Sequence, residues 1–456
     1  MVKENSFIQN HKNLELIVGI DTYSASHLPG IGGIYKHNFK DFIVKEILAN
    51  GKILEIKEDY PSPEFSEELK DVYTSFNLVK LNKDTFEAIR AIGSALRIPY
   101  EIINYSGLKD KCSISVQRAS IRGNYIEKLK KLKIRDIFIR NISPSKKSVN
   151  LGSNWGNKFI ITIRNIQKST ALKKNIEELF DFLNRKGFPN YYGLQRFGTF
   201  RPNSHKIGRF LLEGKYKDAF DEFVLETYPT ESLEAQFFRN ELKVTGNLKE
   251  AYNSFSKSLN YERTMIKHLI DHPNDYKGAI DRLPSDLIKL LISSFQSYFF
   301  NKMVSLRIKK GYSLFEPSKG DIISILDDDN GNITQIKYIY GDLYDKYLIE
   351  ALKLNRAAIV VPLIGFDTNL DEFRLMKQFF DQIIEQENFN KEIFKSDQLV
   401  KFDFKGSFRA ITIKPLGLRI LDIAEDDLFP NRMKFKFEFS LQKGSYATIL
   451  LREIIK

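Results

Sequence analysis

The chain has 456 residues, room for two or three domains at about 150 residues each and for a core that needs no covalent staples. Apolar residues make up 42% and charged residues 28%, which excludes wholesale disorder and collagen-like or low-complexity composition. Lys and Arg outnumber Asp and Glu by 70 to 58, a net charge of +12 spread along the chain beside 21 Tyr and 36 Phe. That balance suits a polyanion such as RNA, and it also suits an ordinary enzyme of basic pI.

In chain order, the opening eleven residues lack the apolar core of a signal peptide. Phe39–Leu48 reads as a strand. A helix is expected from Asp84, which stands at capping-box spacing from Glu87, with Phe86, Ile89, Ile92 and Leu96 on one face and a stop before Pro99. Tyr105–Lys111 is a glycine-containing turn. It leads into a half-buried strand in which Cys112, Ile114 and Val116 alternate with Ser113, Ser115 and Gln117. Lys158–Arg164 is a further strand, and Thr170–Lys186 a helix with Leu172, Ile176, Leu179, Phe180 and Leu183 on one stripe and Gly187 at its end. The middle of the chain is helix-rich, with Ser285 as the expected N-cap of a long helix. Strands 321–326 and 333–339 follow. At the end, Phe435, Phe437, Phe439 and Leu441 alternate with polar residues in a strand expected to complete the first unit's sheet. The longest uncharged apolar run, Ala357–Phe366, falls far short of the ~20 residues that cross a bilayer and contains Pro362.

Several patterns carry an ordinary reading. The run Asp327–Asp329 places Gly331 fifth where a calcium loop needs its glycine sixth, so a hairpin turn on Asn330-Gly331 accounts for it better. His268 and His272 lie one helical turn apart without a third His or a nearby Cys, so no metal is expected. Cys112 is the sole cysteine, which excludes an internal disulfide and favours a reducing compartment; a small residue on the buried face of a strand is its expected role.

Three segments stand apart, each packing Gly, aromatic and amide or charged residues into a non-periodic stretch, the make-up of recognition loops. They are Gly33–Lys36 with Lys40–Glu46, then Tyr105–Gln117, then Pro189–Gly198 continuing through Arg201, His205 and Gly208. Together they resemble the TruD family of pseudouridine synthases. Gly33, Lys36, Asp41, Phe42, Val44 and Glu46 match one family block; Gly107, Lys109, Asp110, Lys111 and Gln117 match its signature; and Asn190-Tyr-Tyr-Gly-Leu-Gln-Arg-Phe-Gly198 matches a third with Tyr192 where the family has Phe. Phe295–Asn301, Lys443–Thr448 and Leu451–Glu453 are also similar. Ser106, Ser113 and Ser115 depart from the family as small-for-small changes.

The resemblance implies an α+β fold: a pseudouridine-synthase catalytic domain with a mixed or antiparallel sheet, formed by residues 1–195 and 406–456 and interrupted by a large α+β insertion domain at 196–405. It implies isomerisation of uridine to pseudouridine in tRNA, expected at uridine 13, without cofactor or metal. The enzyme is expected to be a cytoplasmic monomer with no obligate protein partner and no membrane contact. The alternative from another class is a non-catalytic RNA-binding protein or RNA chaperone on the same fold. The family's nucleophile maps onto Asp110. Burial beside an apolar base would raise its ordinary carboxylate pKa of about 3.9, and Lys36 is the candidate cation that keeps it ionised. Asn190 is expected to hold the loop or a uracil edge. Phe42 and Tyr192 are candidates for stacking on a flipped-out base, with Phe42 equally readable as core, and Gln195 and Arg196 complete the substrate-binding set. Lys109 and Lys111, flanking Asp110, are expected to meet phosphates. So is the basic stretch Arg196, Arg201, His205, Lys206 and Arg209 with its interleaved Phe residues, for which a solvated helix face is the alternative.

Overall fold

The structure, a computed structural model, describes residues 13–66, 68, 70–327 and 331–456. The opening eleven residues and most of the Asp327–Asn330 turn lie outside them. The described chain divides into two compact units. One comprises Ala25–Phe188 with Lys414–Lys456; the other comprises Pro189–Ile413 with the described residues up to Ser24. This division falls at 188/189 and 413/414, where the sequence places domain boundaries at 195/196 and 405/406. The third motif segment therefore lies wholly in the middle unit.

In the first unit, eight strands among the described residues form one mixed sheet. They are β1 (Phe42–Leu48), β2 (Tyr73–Leu81), β3 (Ile103–Tyr105), β4 (Ile114–Arg122), β5 (Ile137–Ser145), β6 (Asn154–Gln167), β7 (Leu416–Glu425) and β8 (Arg432–Gln442). The order is β7-β8-β6-β1-β4-β2-β5, with β3 paired to β4. The C-terminal strand β8 joins this sheet through β6, as its alternation implied. Helix α1 (Thr85–Leu96) starts at the predicted capping box, and Ala88, Ile89 and Ile92 go into the core with Phe76, Leu78, Ala119 and Ile121. Phe86, expected on that face, is exposed. Helix α2 (Leu172–Lys186) buries the predicted stripe, and Phe180 meets Phe435 and Phe437 edge to face at 5.3 and 5.5 Å.

Two strand readings are corrected. Residues 39–41 form a 3-10 turn closed by an Asn38–Asp41 capping box, so β1 begins at Phe42. Cys112 precedes β4, and β4 is not half-buried: Ser115, Val116 and Gln117 are all enclosed, because a central strand covered on both faces hides its polar side as well.

The functional consequence of the topology is the parallel pairing of β1 with β4, Ile43 opposite Ile114 and Lys45 opposite Val116. Parallel neighbours bring their two entry loops to the same end of the sheet, so the segment around Lys36 meets the segment around Asp110. Gly33 makes the first segment possible. Its φ is +90°, and a Cβ there would lie 2.6 Å from the Arg164 carbonyl oxygen, beside the Ile34–Arg164 bridge to β6.

The middle unit is helical around the helix Ser285–Lys309, preceded by Pro284 rather than capped by Ser285. Helix Ser204–Leu212 packs on it, and Gly208 permits the close crossing: a Cβ would lie 2.1 Å from the Leu291 carbonyl oxygen. Arg307 and Asp321 form a fully buried, two-pronged ion pair at 2.5 and 2.8 Å. The strands Ile322–Leu326 and Ile333–Ile339 pair as the predicted hairpin, within a four-stranded sheet that also takes in Ala357–Leu363 and Ser407–Ala410. The apolar run at 357–366 is thus largely a buried strand. No helix among the described residues is long and apolar enough to cross a membrane.

Candidate active site

Asp110 and Lys36, 74 positions apart, meet as the β1–β4 pairing requires: the Lys36 ammonium donates to Asp110 Oδ2 at 2.9 Å. The carboxylate side chain is 39% exposed and that of the lysine 20%. The protein alone therefore does not enclose the Asp110 carboxyl as expected; it leaves it open on one side with a cation fixed on the other. Lys36 adopts a left-handed backbone, φ +57°, a conformation that a non-glycine residue holds at a cost of order 1 kcal/mol and that gathers at functional sites. Its ammonium also lies 4.4 Å above the centre of the Phe42 ring, a cation–π contact that steadies the charge.

Of the two readings open for Phe42, this arrangement favours the core. It is 1% exposed, with Lys36 over its ring and Phe159 against it edge to face at 6.0 Å. It supports Lys36 from the core and presents no open ring to a base. Asp41, beside it, is bound by Arg164, which in turn holds Asp426 and Asp427, an anchor between the β1 entry and the β7–β8 turn.

The Asp110 loop is held from below by buried polar groups. Lys109 is enclosed, and its ammonium pairs with Glu46 on β1 at 2.8 Å. Glu46 also accepts from the Ser106 hydroxyl and, at 3.0 Å, from the Arg118 amide. The expectation that Lys109 meets phosphate is thus overturned: the carboxylate of Glu46, itself buried, claims it. Lys111 is exposed and paired with Glu87 at 2.6 Å. The Lys109 amide donates to Thr85 Oγ1 at 3.0 Å, and Gln117 donates to the Gly107 carbonyl at 2.9 Å. Lys80, on β2, donates to the carbonyl oxygens of Lys109 and Asp110. The Ser113 hydroxyl donates to the same Asp110 oxygen at 2.6 Å. Glu46 and Gln117 stand in the motif blocks without an assigned role; Lys80 and Thr85 stand outside them.

In the middle unit, Asn190 and Tyr192 gather on Arg409, which sequence reasoning missed. The Arg409 guanidinium donates to the Asn190 side-chain oxygen at 2.6 Å and its backbone oxygen at 3.0 Å, and lies 4.2 Å from the Tyr192 ring centre. The Asn190 amide nitrogen donates to the Ala410 carbonyl at 3.1 Å. Both ends of Asn190 are therefore engaged in holding the loop, the first of its two expected roles. Asn301 bonds the Tyr192 backbone on both sides, accepting from its amide at 2.9 Å and donating to its carbonyl at 3.0 Å. Phe300 packs edge-on to the Tyr192 ring at 5.5 Å. Gln195 is exposed on a 3-10 turn, and Arg196 donates to Ser297 Oγ at 3.1 Å. The half-buried Tyr192 ring is thus fixed by its neighbours while retaining some exposure.

The basic stretch beyond is not a phosphate track. Arg201 is drawn inward onto the carbonyls of Glu222, Phe223 and Glu226 and the acids Glu231 and Glu262. His205 is buried, stacked on Tyr298 at 4.8 Å, and burial holds its pKa down at about 3, so it is neutral. Lys206 reaches the Tyr228 hydroxyl, and Arg209 pairs with Glu213 while lying over Phe389. His268 bonds Asp275 at 2.8 Å.

Comparison with known proteins follows the same outline. The family model for tRNA pseudouridine synthase D (TruD) matches residues 17–454. Proteins named "Probable tRNA pseudouridine synthase D" from Methanosarcina acetivorans and Methanosarcina mazei are 31% and 32% identical to this chain, each alignment covering 97% of both proteins. One named "Probable tRNA pseudouridine synthase D 1" from Methanocaldococcus jannaschii is 34% identical over 93% of this chain and 96% of its own. A crystal structure of a Methanosarcina mazei protein described as "Putative tRNA pseudouridine synthase D (TruD)" matches with a TM-score of 0.77 at 29% identity, covering 97% of this chain and 98% of that one.

Proposed function

Because the chain belongs to the TruD family of tRNA pseudouridine synthases, an isomerase family, we propose that it converts uridine 13 of tRNA to pseudouridine with Asp110 as nucleophile. The observation that carries this reading is the Lys36–Asp110 pair at 2.9 Å, where the entry loops of two parallel strands deliver one residue from each of two motif blocks. The target uridine must first leave the stack, at a few kcal/mol. Its apolar face then covers the open side of the Asp110 carboxylate, which the Lys36 ammonium holds from the other side. The carboxylate acts as a covalent catalyst: the bond from N1 to C1′ breaks, the uracil turns, C5 bonds to C1′, C5 loses a proton and N1 gains one. No electrons are exchanged and no group is imported, so the chemistry calls for no cofactor. The partner is tRNA and the compartment the cytoplasm, with the enzyme acting as a monomer.

The test is to incubate the protein with unmodified tRNA transcripts and map pseudouridine nucleotide by nucleotide. A single new pseudouridine at position 13 is expected; intact, unmodified or cleaved RNA refutes the reading. Tyr192 is proposed as the stacking ring. Tyr192→Leu removes the aromatic face, worth about 1–3 kcal/mol per base, so tRNA binding or turnover should weaken about 5- to 150-fold, read as kcat/KM. A change below about twofold would remove Tyr192 from the substrate contacts.

A further inference from the structure

Lys80 has no assigned part in the chemistry, yet its surroundings are specific. It is fully buried near the end of β2, and its ammonium donates to three carbonyl oxygens: Lys83 at 2.7 Å, Asp110 at 2.9 Å and Lys109 at 3.2 Å. Three N–H bonds meet three acceptors. A neutral amine has only two N–H bonds, so on losing its proton Lys80 must release one carbonyl. No carboxylate among the described residues lies within ion-pair distance of it. The charged groups that face it are Asp110 and Lys109 on the loop and Asp84 and Glu87 at the start of α1.

We propose that Lys80 is a positioning residue that sets the main-chain placement of Asp110, and that its protonated form is required for turnover. The inference rests on reading Asp110 as the nucleophile. Burial, the largest influence, pulls the pKa of Lys80 down to about 8, and the charge of Asp110 partly offsets it. The proton is therefore lost within a range that can be assayed. The sign of the stability effect is opposite to that of the rate. A lysine whose pKa is lower folded than unfolded binds fewer protons in the folded state, so raising the pH through about 8 favours folding at this group. Alkaline loss of rate from Lys80 is thus not unfolding.

The experiment measures single-turnover pseudouridine formation by the full-length protein on an unmodified tRNA transcript from pH 6.5 to 9.5, with tRNA affinity and melting temperature measured alongside. For the wild type, the rate should fall above about pH 8, by up to tenfold per pH unit. Lys80→Met should lower the rate about 100-fold at pH 7, the scale of a small misplacement of the reacting group, with tRNA affinity within about threefold of wild type and without the alkaline fall. A Lys80→Met rate within threefold of wild type, or an unchanged alkaline fall in that variant, overturns the proposal. If Lys80→Met does not fold, a wild-type rate that stays flat to pH 9.5 overturns it by itself, and a fall above about pH 8 without loss of melting temperature supports it. Asp110→Asn assayed in parallel separates the two ideas. An active Asp110→Asn removes the premise; an inactive Asp110→Asn beside a fully active Lys80→Met removes only the role of Lys80.

Discussion

Asp110→Asn should reduce pseudouridine formation by at least about 10³-fold, the scale seen when a nucleophile is removed and only the surrounding site remains. The substitution is nearly isosteric. The side-chain oxygen can still accept from Lys36, and the loop is held through its main chain: the Asp110 carbonyl accepts from Lys80 and Ser113, and the Lys109 amide donates to Thr85. The geometry therefore has no reason to change. What changes is the charge: a neutral amide does not attack, and the site gains one net positive charge. The phosphate backbone of tRNA is attracted more strongly to a more positive surface, so affinity should hold or tighten. The paired measurement is the single-turnover rate and the tRNA Kd at one fixed salt concentration. Lost rate with retained binding separates an enzyme from a non-catalytic RNA-binding protein on the same fold; retained rate would strike Asp110 from the mechanism.

The parts of the molecule legible in its sequence are those set by local chemistry. The Asp84–Glu87 capping box starts α1 where expected, because both partners of that bond lie three residues apart. The Phe435–Leu441 alternation is a strand with its apolar face buried, because a period of two admits little else. The Lys36–Asp110 pair was legible only through the family resemblance, since the bond that makes it is the register of β1 against β4. The errors share a cause. In the sequence, Lys109, Arg201 and Arg209 read as phosphate ligands because Lys and Arg are usually exposed. Each instead found an acid brought from elsewhere in the chain or one turn along: Glu46, Glu231 and Glu213 respectively. Arg409 left no signal at all. It lies 219 positions from Asn190, and only the fold of the middle unit brings it there.

The buried pair beneath the nucleophile should dominate the stability of its unit. Lys109→Met removes the cation and leaves Glu46, fully buried, with only the Ser106 hydroxyl and the Arg118 amide as donors. An uncompensated buried charge of this kind costs about 3–5 kcal/mol, more than the net worth of the pair itself, because desolvating two ions nearly cancels their attraction. At about 2–4 °C per kcal/mol for a unit of some 200 residues, the melting temperature should fall by on the order of 10 °C. The double variant Lys109→Met with Glu46→Leu leaves no buried ion, so it should recover more than half of that loss. Recovery of stability need not bring recovery of rate. In the wild type the pair ties the Asp110 loop to β1, the strand that also follows Lys36, so one ion pair links the placement of nucleophile and cation. A double variant that melts near the wild-type temperature but turns over at least tenfold more slowly is the expected result, read by calorimetry and single-turnover assay. If Lys109→Met melts within about 2 °C of wild type, the Glu46–Lys109 pair is not the anchor of this loop.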